Sequence, residues 1–458
     1  MRHACLRQSG IAAVVLLLFL LLGSVTFLIE RLRPAALQSR RAASSDAALA
    51  LAKEALLGYA VTYGDTHAHT LSGYLPCPDT TGKRGVNVHE GSPDPPCADK
   101  DVSLIGRLPW HILGLEPLRD GSGECLWYAV SGNFKNDPDT DMLNWDTPGQ
   151  LAVLGADSVS LLAGRTPEDR AAAVIFAPGA ALPGQRRDTL ASAAACGGNY
   201  AASNYLEAAA PADNSQAAVR AQALSLFASA AGNDRLIVLS ASEIYQRVHS
   251  RADFRSQIDQ RLAHLAACVA AYGQRNSAGA ADRRLPWAAP LLLSDYVADA
   301  AYADETGRSA GRLPSRVTRS KPSTGNAMPG TQLFDAAVCA WSAQDALWYR
   351  HWKDQLFYAV AADHAAGTSH RGACATCLSV NGGGHYAAVI LFAGPRLPGQ
   401  ARASNAAKAT AANYLEDRNA AAIASPTGRD DFLSAATTPR SNDILYCIDT
   451  ALAAAPCA

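Results

Sequence analysis

AAVIFAPGAALPGQ (172–185) and AAVILFAGPRLPGQ (387–400) are two versions of one phrase, and the reading of the whole chain turns on that fact. Each opens on a short apolar run and closes on Gly and Pro, the pattern of a strand delivered into a turn. Further echoes surround them in unchanged order. GRLP stands at Gly106 and again at Gly311, and LWYAV at Leu126 becomes LFYAV at Leu356. YLPC at Tyr74 is answered by RLPW at Arg284, NYLE at Asn204 returns at Asn413, and Asn233-Asp234 returns as Asn442-Asp443. The two members of each pair lie roughly 205 to 230 residues apart. Biased composition accounts for any one match, whereas the ordered set points to a duplicated unit.

Ahead of each copy lies a helical pattern. Leu49, Ala52, Leu56, Ala60 and Tyr63 share one face at about 3.6-residue spacing and lead to Gly64, while Leu262, Leu265, Val269 and Tyr272 do the same before Gly273. The expected class is therefore α+β, with a helix laid over an antiparallel sheet in each unit. The first unit is placed at 30–250, with its helix at 42–63, and the second at 251–458. A chain of 458 residues is too long for one ordinary core, which fits two units. With 40 basic against 41 acidic residues there is no broad positive field, so a nucleic-acid partner is not expected.

Only the first helix has an apolar extension. Residues 1–10 carry Arg2, His3 and Arg7 with no acidic residue, and they lead into IAAVVLLLFLLLGSVTFLI, Ile11 to Ile29. That run matches a hydrocarbon core of roughly 30 Å and exceeds the 7 to 15 residues usual for a cleaved signal. Residues 11–29 are thus expected to be a retained transmembrane helix that continues as the amphipathic helix on the first sheet. Arg31, Arg33, Arg40 and Arg41 follow the run and oppose the basic leader under the positive-inside rule. Ten of the eleven cysteines come after it, an even number spread through loop-rich sequence, as disulfides in an oxidising compartment would be. Cys77 with Cys97, Cys125 with Cys196, Cys268 with Cys339, and Cys447 with Cys457 make one plausible set, although spacing alone does not fix connectivity. Cys374 and Cys377, in CATC, have the spacing of a redox dithiol but precede a strand-like run, which favours a structural bridge.

The leader ending at Gly10, the apolar helix turning amphipathic, and the sheet-bearing head resemble type IV pilins and the pseudopilins of type II secretion. ALAKEALLGYAVTYG through LPCPD, with GRLPW and DGSGECLWYAVSG, also resembles a group of bacterial pilin-like proteins to which no activity is attached. The resemblance implies cleavage by a prepilin peptidase between Gly10 and Ile11, methylation of Ile11, and helix packing with other pilin-like subunits. It further implies a bacterial inner-membrane protein crossing once, its bulk periplasmic or extracellular, serving as a minor or tip component of a pilus or secretion assembly. One departure stands out: the family's usual Glu at the fifth mature position is here Val15. A buried carboxylate that would fix register by pairing is missing.

Other candidate chemistry is sparse. Asp137, Asp139 and Asp141 alternate in NDPDTD near Asp146 and could offer oxygens to one calcium ion, or simply solvate a turn. His67 and His69 in THAHT could begin a metal site, but two histidines in a polar loop are as simply solvent-facing. No nucleophile elbow, phosphate loop, dinucleotide fingerprint or zincin motif occurs, so no enzyme and no resident cofactor is expected. The alternative function is a membrane-tethered periplasmic binding protein using the cleft between two related lobes.

Overall fold

The computed structural model describes residues 9–82, 89–93, 96–187, 194–217, 224–229, 232–275, 284–317, 331–336, 339–366, 374–435 and 440–457. Cys5 and most of the leader, and parts of the loops at 65–100 and 309–331, lie outside them. The chain is α+β with two seven-stranded sheets.

Helix α1 (Ser9–Thr66) runs for 58 residues without a break. Its second half carries Ala48, Leu49, Ala52, Leu56, Leu57, Ala60 and Tyr63, all buried, onto the first sheet. That sheet contains β1 (Leu104–Arg107), β2 (Trp127–Val130), β3 (Leu151–Leu154), β4 (Leu161–Ala163), β5 (Ala171–Ala177), β6 (Ser225–Ala228) and β7 (Arg235–Ser240). Its path is β1-β2-β5-β3-β4, with β7 antiparallel to β5 and β6 parallel to β3. Two helices follow, α2 (Ala241–His249) and α3 (Phe254–Arg275). Ser240 caps α2 through a reciprocal exchange with Glu243, satisfying two of the free N–H groups at the helix start.

The second sheet repeats the arrangement. It holds β8 (Ala310–Arg312), then, after helix α4 (Ala343–Trp352), β9 (Leu356–Val360), β10 (Leu378–Val380) and β11 (Gly383–Phe392). Short helices α5 (Asn405–Lys408) and α6 (Asp417–Ala424) precede β12 (Asp431–Phe432), β13 (Ile444–Asp449) and β14 (Ala454–Pro456). The path is β8-β9-β11-β10-β12, with β13 antiparallel to β11. Registers correspond: Trp127 faces Phe176, which faces Leu236, and Phe357 faces Leu391, which faces Leu445.

The echoed phrases of the sequence meet in space. The GRLP arginine lies over the ring from LWYAV or LFYAV and over the NYLE tyrosine: Arg107 sits 5.2 Å from Trp127 and 4.7 Å from Tyr205, and Arg312 sits 4.2 Å from Phe357 and 4.4 Å from Tyr414. Such desolvated cation–ring contacts are worth about 2 kcal/mol each. The next aromatic ties the strand to the LP segment, since Tyr128 Oη donates to Pro76 O and Tyr358 Oη to Pro286 O, both at 3.1 Å.

Both faces of each sheet are covered. Tyr128 and Val130 point into a core with α1, whereas Trp127 and Ala129 pack under Tyr205 and Phe227. Tyr358 and Val360 face α3, and Phe357 and Ala359 face Tyr414 and Ile423. The α1 and α3 sides join in a single apolar cluster that reaches from Leu56 to Leu265 and Trp352. The two sheets therefore share a core, where the sequence suggested two separate units, each with a helix over its own sheet.

Two expectations fall here. The transmembrane helix at 11–29, and with it the single-pass location in a bacterial inner membrane, is not supported: among the described residues no helix is long and apolar enough to cross a membrane. The helix ends also differ from expectation, because α1 passes Gly64 to reach Thr66 and α3 passes Gly273 to reach Arg275. These glycines serve close approach instead. A Cβ on Gly64 would lie 2.9 Å from Ser72 N, and one on Gly273 would lie 2.8 Å from the Leu452 side chain.

The GRLP glycines have the same logic, with a sharper limit. A Cβ at Gly106 would stand 2.6 Å from Asp79 O and one at Gly311 would stand 2.1 Å from Ala289 O, both backbone atoms in bridging segments. Gly311→Ala is expected to destabilise the chain by about 1–3 kcal/mol through forced backbone displacement. Gly58→Ala, on a helix position with open space, should be neutral or stabilising by up to about 1 kcal/mol. Urea unfolding of the two variants beside the parent tests the contrast.

Candidate functional site

The first half of α1 stands away from the sheets. Val14, Leu16, Leu17, Leu18, Phe19, Leu20 and Phe27 are 54 to 72% exposed, around the whole circumference of the helix. Soluble surfaces scatter single apolar residues, whereas a continuous apolar patch of this kind marks an interaction surface. Gly10 and Ile11 lie in the first turns of this helix.

At the other end of the molecule the two sheets are joined by a polar seam with an aromatic wall. The loop 143–146 of the first half inserts against α4 and the turn Lys353–Gln355 of the second. Leu143 N–H donates to His351 Nδ1 at 2.8 Å, and Asn144 Nδ2 donates to His351 O at 2.8 Å and to Asp354 Oδ1 at 2.9 Å. Arg402, with no exposed side-chain surface, reaches Asp146 Oδ2 at 3.0 Å, while Gln355 Nε2 donates to the same oxygen at 2.6 Å. Glu168 Oε1 accepts from the backbone N–H of Arg402 and Ala403. Trp145 packs edge-on against Trp352 with centroids 4.5 Å apart and against Phe392 at 5.6 Å. Burial, followed by the nearby Arg350 and Lys353 charges, holds the His351 imidazole down to about 3. The ring is neutral and so accepts the Leu143 bond.

Each half also contains a buried carboxyl pair. Glu207 N–H donates to Asp234 Oδ2 at 3.0 Å, as does Asn214 Nδ2. Glu416 N–H and Asn419 Nδ2 donate to Asp443 Oδ2 at 3.1 and 2.9 Å. Gln185 and Gln400 donate to the glutamates from the LPGQ turns. Burial, then the contact with Glu207, pushes Asp234 up to about 9, and burial with the Glu416 charge raises Asp443 as well. The upward shift favours the protonated acid in each pair, which relieves the repulsion that two neighbouring carboxylates would suffer.

The candidate calcium ligands do not converge. Asp139 pairs with Arg350 at 3.0 Å and Asp141 with Lys100, so two of the three carboxylates are already neutralised by cations. The backbone carbonyl of Asp137 faces the Cys77–Cys97 bridge. His67 stacks on Tyr63 at 4.0 Å, and His69 occupies a turn with φ 62°. The cysteines are joined as Cys77–Cys97, Cys125–Cys196, Cys268–Cys339, Cys374–Cys377 and Cys447–Cys457, with Cα–Cα distances of 5.0 to 6.1 Å. Among the described residues, the cluster with the composition of a metal site is His364, Cys374 and Cys377.

No family model, curated protein or solved structure matches the chain. What the site can do therefore rests on its own residues.

Sequence reasoning missed His351, Gln355, Glu168 and Arg402 and set Asp146 beside the calcium candidate; together these residues are dispersed over more than 250 positions. One signal was present, because Arg187 and Arg402 both follow an LPGQ turn by two residues. The two arginines make matching bonds, to the carbonyls of Asn204 and Tyr205 in one case and Asn413 and Tyr414 in the other.

Two opposite pH responses follow. The unfolded chain protonates His351 near 6.5 and the folded chain only near 3, so stability is lost as pH falls through that window. His351→Asn, whose amide oxygen can accept from Leu143, should flatten the acid limb of a plot of urea midpoint against pH. The carboxyl pairs act the other way: Asp234 stays protonated in the folded chain from its ordinary 3.8 up to about 9, so its contribution is complete below that window and lost as pH rises through it. Asp234→Asn is expected to raise the urea midpoint at pH 9 relative to the parent and to leave it little changed at pH 4. A midpoint lowered equally at both values would show that no proton is held there.

Proposed function

We propose that this chain is a non-enzymatic, pilin-like subunit that assembles through the exposed apolar half of α1, with the two fused sheets forming its head. The observation that supports the reading is the unpartnered helix surface from Val14 to Phe27, apolar on every side and projecting from a head to which the same helix is welded at Ala48–Tyr63. Burying one large aliphatic side chain is worth about 1.5–3 kcal/mol, so several such helices laid together gain enough to outweigh the entropy of association. Like helices of neighbouring subunits are the fitting occupants, since they present the same shape and no buried charge. Val15 stands where the family places an acid, so packing here proceeds without a carboxylate to set register, as suits a minor or tip position with no subunit above it.

The head fits a cap or contact role. Trp145, Trp352 and Phe392 pack ring against ring across its seam and tie the halves into one body, which fits a contact surface better than two lobes that close on a ligand. The repeated phrases then belong to two copies of one head, fused in a single chain.

Co-expression with a prepilin peptidase tests the assignment. The expected product has lost residues 1–10 and carries a methylated Ile11 by intact mass, and it crosslinks with pilin-like subunits through α1. Leu20→Asp should abolish the crosslinks while leaving head unfolding unchanged. An unshortened product with an unmodified Ile11 would exclude this pathway.

A further inference from the structure

Among the described residues, the second half contains a group of ligand atoms that the first half does not match. His364 ends the turn Ala362–His364 after β9, and Cys374 and Cys377 lie just ahead of β10. The imidazole and the two sulfurs lie within 4.8 Å of one another, with His364 Nδ1 3.7 Å from Cys374 Sγ. The two segments are pinned independently of the sulfurs: Thr376 N–H donates to Asp363 Oδ2 at 2.8 Å, and Asp363 N–H donates to Thr376 Oγ1 at 3.1 Å.

The matching place in the first half shows what packing alone requires. There the turn Gly132–Phe134 follows β2 and residues 147–150 precede β3. Gly132 N–H donates to Gln150 Oε1 at 2.7 Å, and Phe134 is fully buried where His364 stands in the other half. That half holds its two segments together without a sulfur or an imidazole. The His, Cys and Cys of the second half are therefore not demanded by the fold.

Access also separates this bridge from the rest. Cys374 and Cys377 are both half-buried, whereas each of the other four bridges has at least one fully buried cysteine: Cys77 and Cys97, Cys125 and Cys196, Cys268, and Cys447. In Cys374–Cys377 both cysteines are partly open to an attacking thiolate, whereas Cys268–Cys339 and Cys447–Cys457 offer one each.

We propose that His364, Cys374 and Cys377 form a redox-gated site for a zinc-class divalent cation, closed while the cysteines are bridged and opened when a dithiol reduces them. In the opening step a thiolate of the dithiol attacks one bridge sulfur and the Cys374–Cys377 bond breaks. The second thiol of the reagent then closes its own disulfide, so that two electrons and two protons pass to the cysteines. Binding the cation expels both thiol protons and leaves two thiolates and one imidazole as ligands. Two thiolates and one imidazole are three of the four ligands of a tetrahedral zinc site, and the fourth position falls to water or an incoming group. A Cys-x-x-Cys pair with Cα atoms 5.3 Å apart can chelate one ion, since thiolates on a shared zinc stand roughly 3.7 Å apart.

The full chain, treated briefly with dithiothreitol, trapped by alkylation and mapped by mass spectrometry, should carry its first labels on Cys374 and Cys377. With Co²⁺ as the probe, the reduced chain should take up one equivalent and show thiolate-to-cobalt charge-transfer absorption, which the oxidised chain lacks. His364→Ala keeps the bridge and should weaken Co²⁺ binding at least about tenfold, because even an outer-sphere partner of a metal ligand is worth that much. Cys374→Ser/Cys377→Ser, checked for folding by circular dichroism, should show no charge-transfer band. First labels on another pair, no band in the reduced parent, or equal Co²⁺ affinity in the parent and His364→Ala would each overturn the proposal.

Discussion

A guanidinium with no contact to solvent holds the two halves of this protein in one body. Arg402 lies wholly inside, bonded to Asp146 from the other half, to Gln355 and to the Gly394 carbonyl. Taking such a charge from water is costly, and the cost is offset by the carboxylate, amide and carbonyl oxygens that accept from it. Removing one partner from a buried pair typically costs about 3–5 kcal/mol, so the positions of β11, the 143–146 loop and the turn after α4 are mutually dependent. The corresponding Arg187 has Glu124 of its own half at 3.5 Å. One residue in a repeated turn thus closes a loop locally in the first copy and joins two sheets in the second.

The parts of the fold that could be read from the sequence were those whose cause is local. LWYAV and AAVIFAPG are strands because apolar runs bounded by Gly, Pro or Asn have few alternatives, and the α1 and α3 faces follow from helical spacing. The recurring phrases were visible as letters, and the structure supplies their reason: GRLP, LWYAV or LFYAV, and NYLE are three walls of one arginine–aromatic stack. Gly64 and Gly273 were read as helix stops because glycine does that often. Here they admit a crossing chain, which depends on a neighbour that one sequence does not display.

The seam was out of reach for a related reason. Asp146, Glu168, His351, Gln355 and Arg402 acquire meaning only once two sheets have been brought together, and neither periodicity nor composition encodes that meeting. NDPDTD has partners that its own letters do not show. A dense acidic run looks like a cation site while its partners are unknown, yet Arg350 and Lys100 arrive from distant segments to satisfy it. The apolar N-terminal run was legible as a helix and as a surface that needs covering, but what covers it is not written in the run itself.

The common core of α1 and α3 has a consequence for how such a molecule can change over time. Neither half has a complete wall of its own, because side chains such as Leu56 and Leu265 are kept dry by the same cluster. Deleting either copy would leave its sibling with wet aliphatic surface and an orphaned charge. Fusion of this sort acts as a ratchet: later drift can specialise one half, but neither can be discarded.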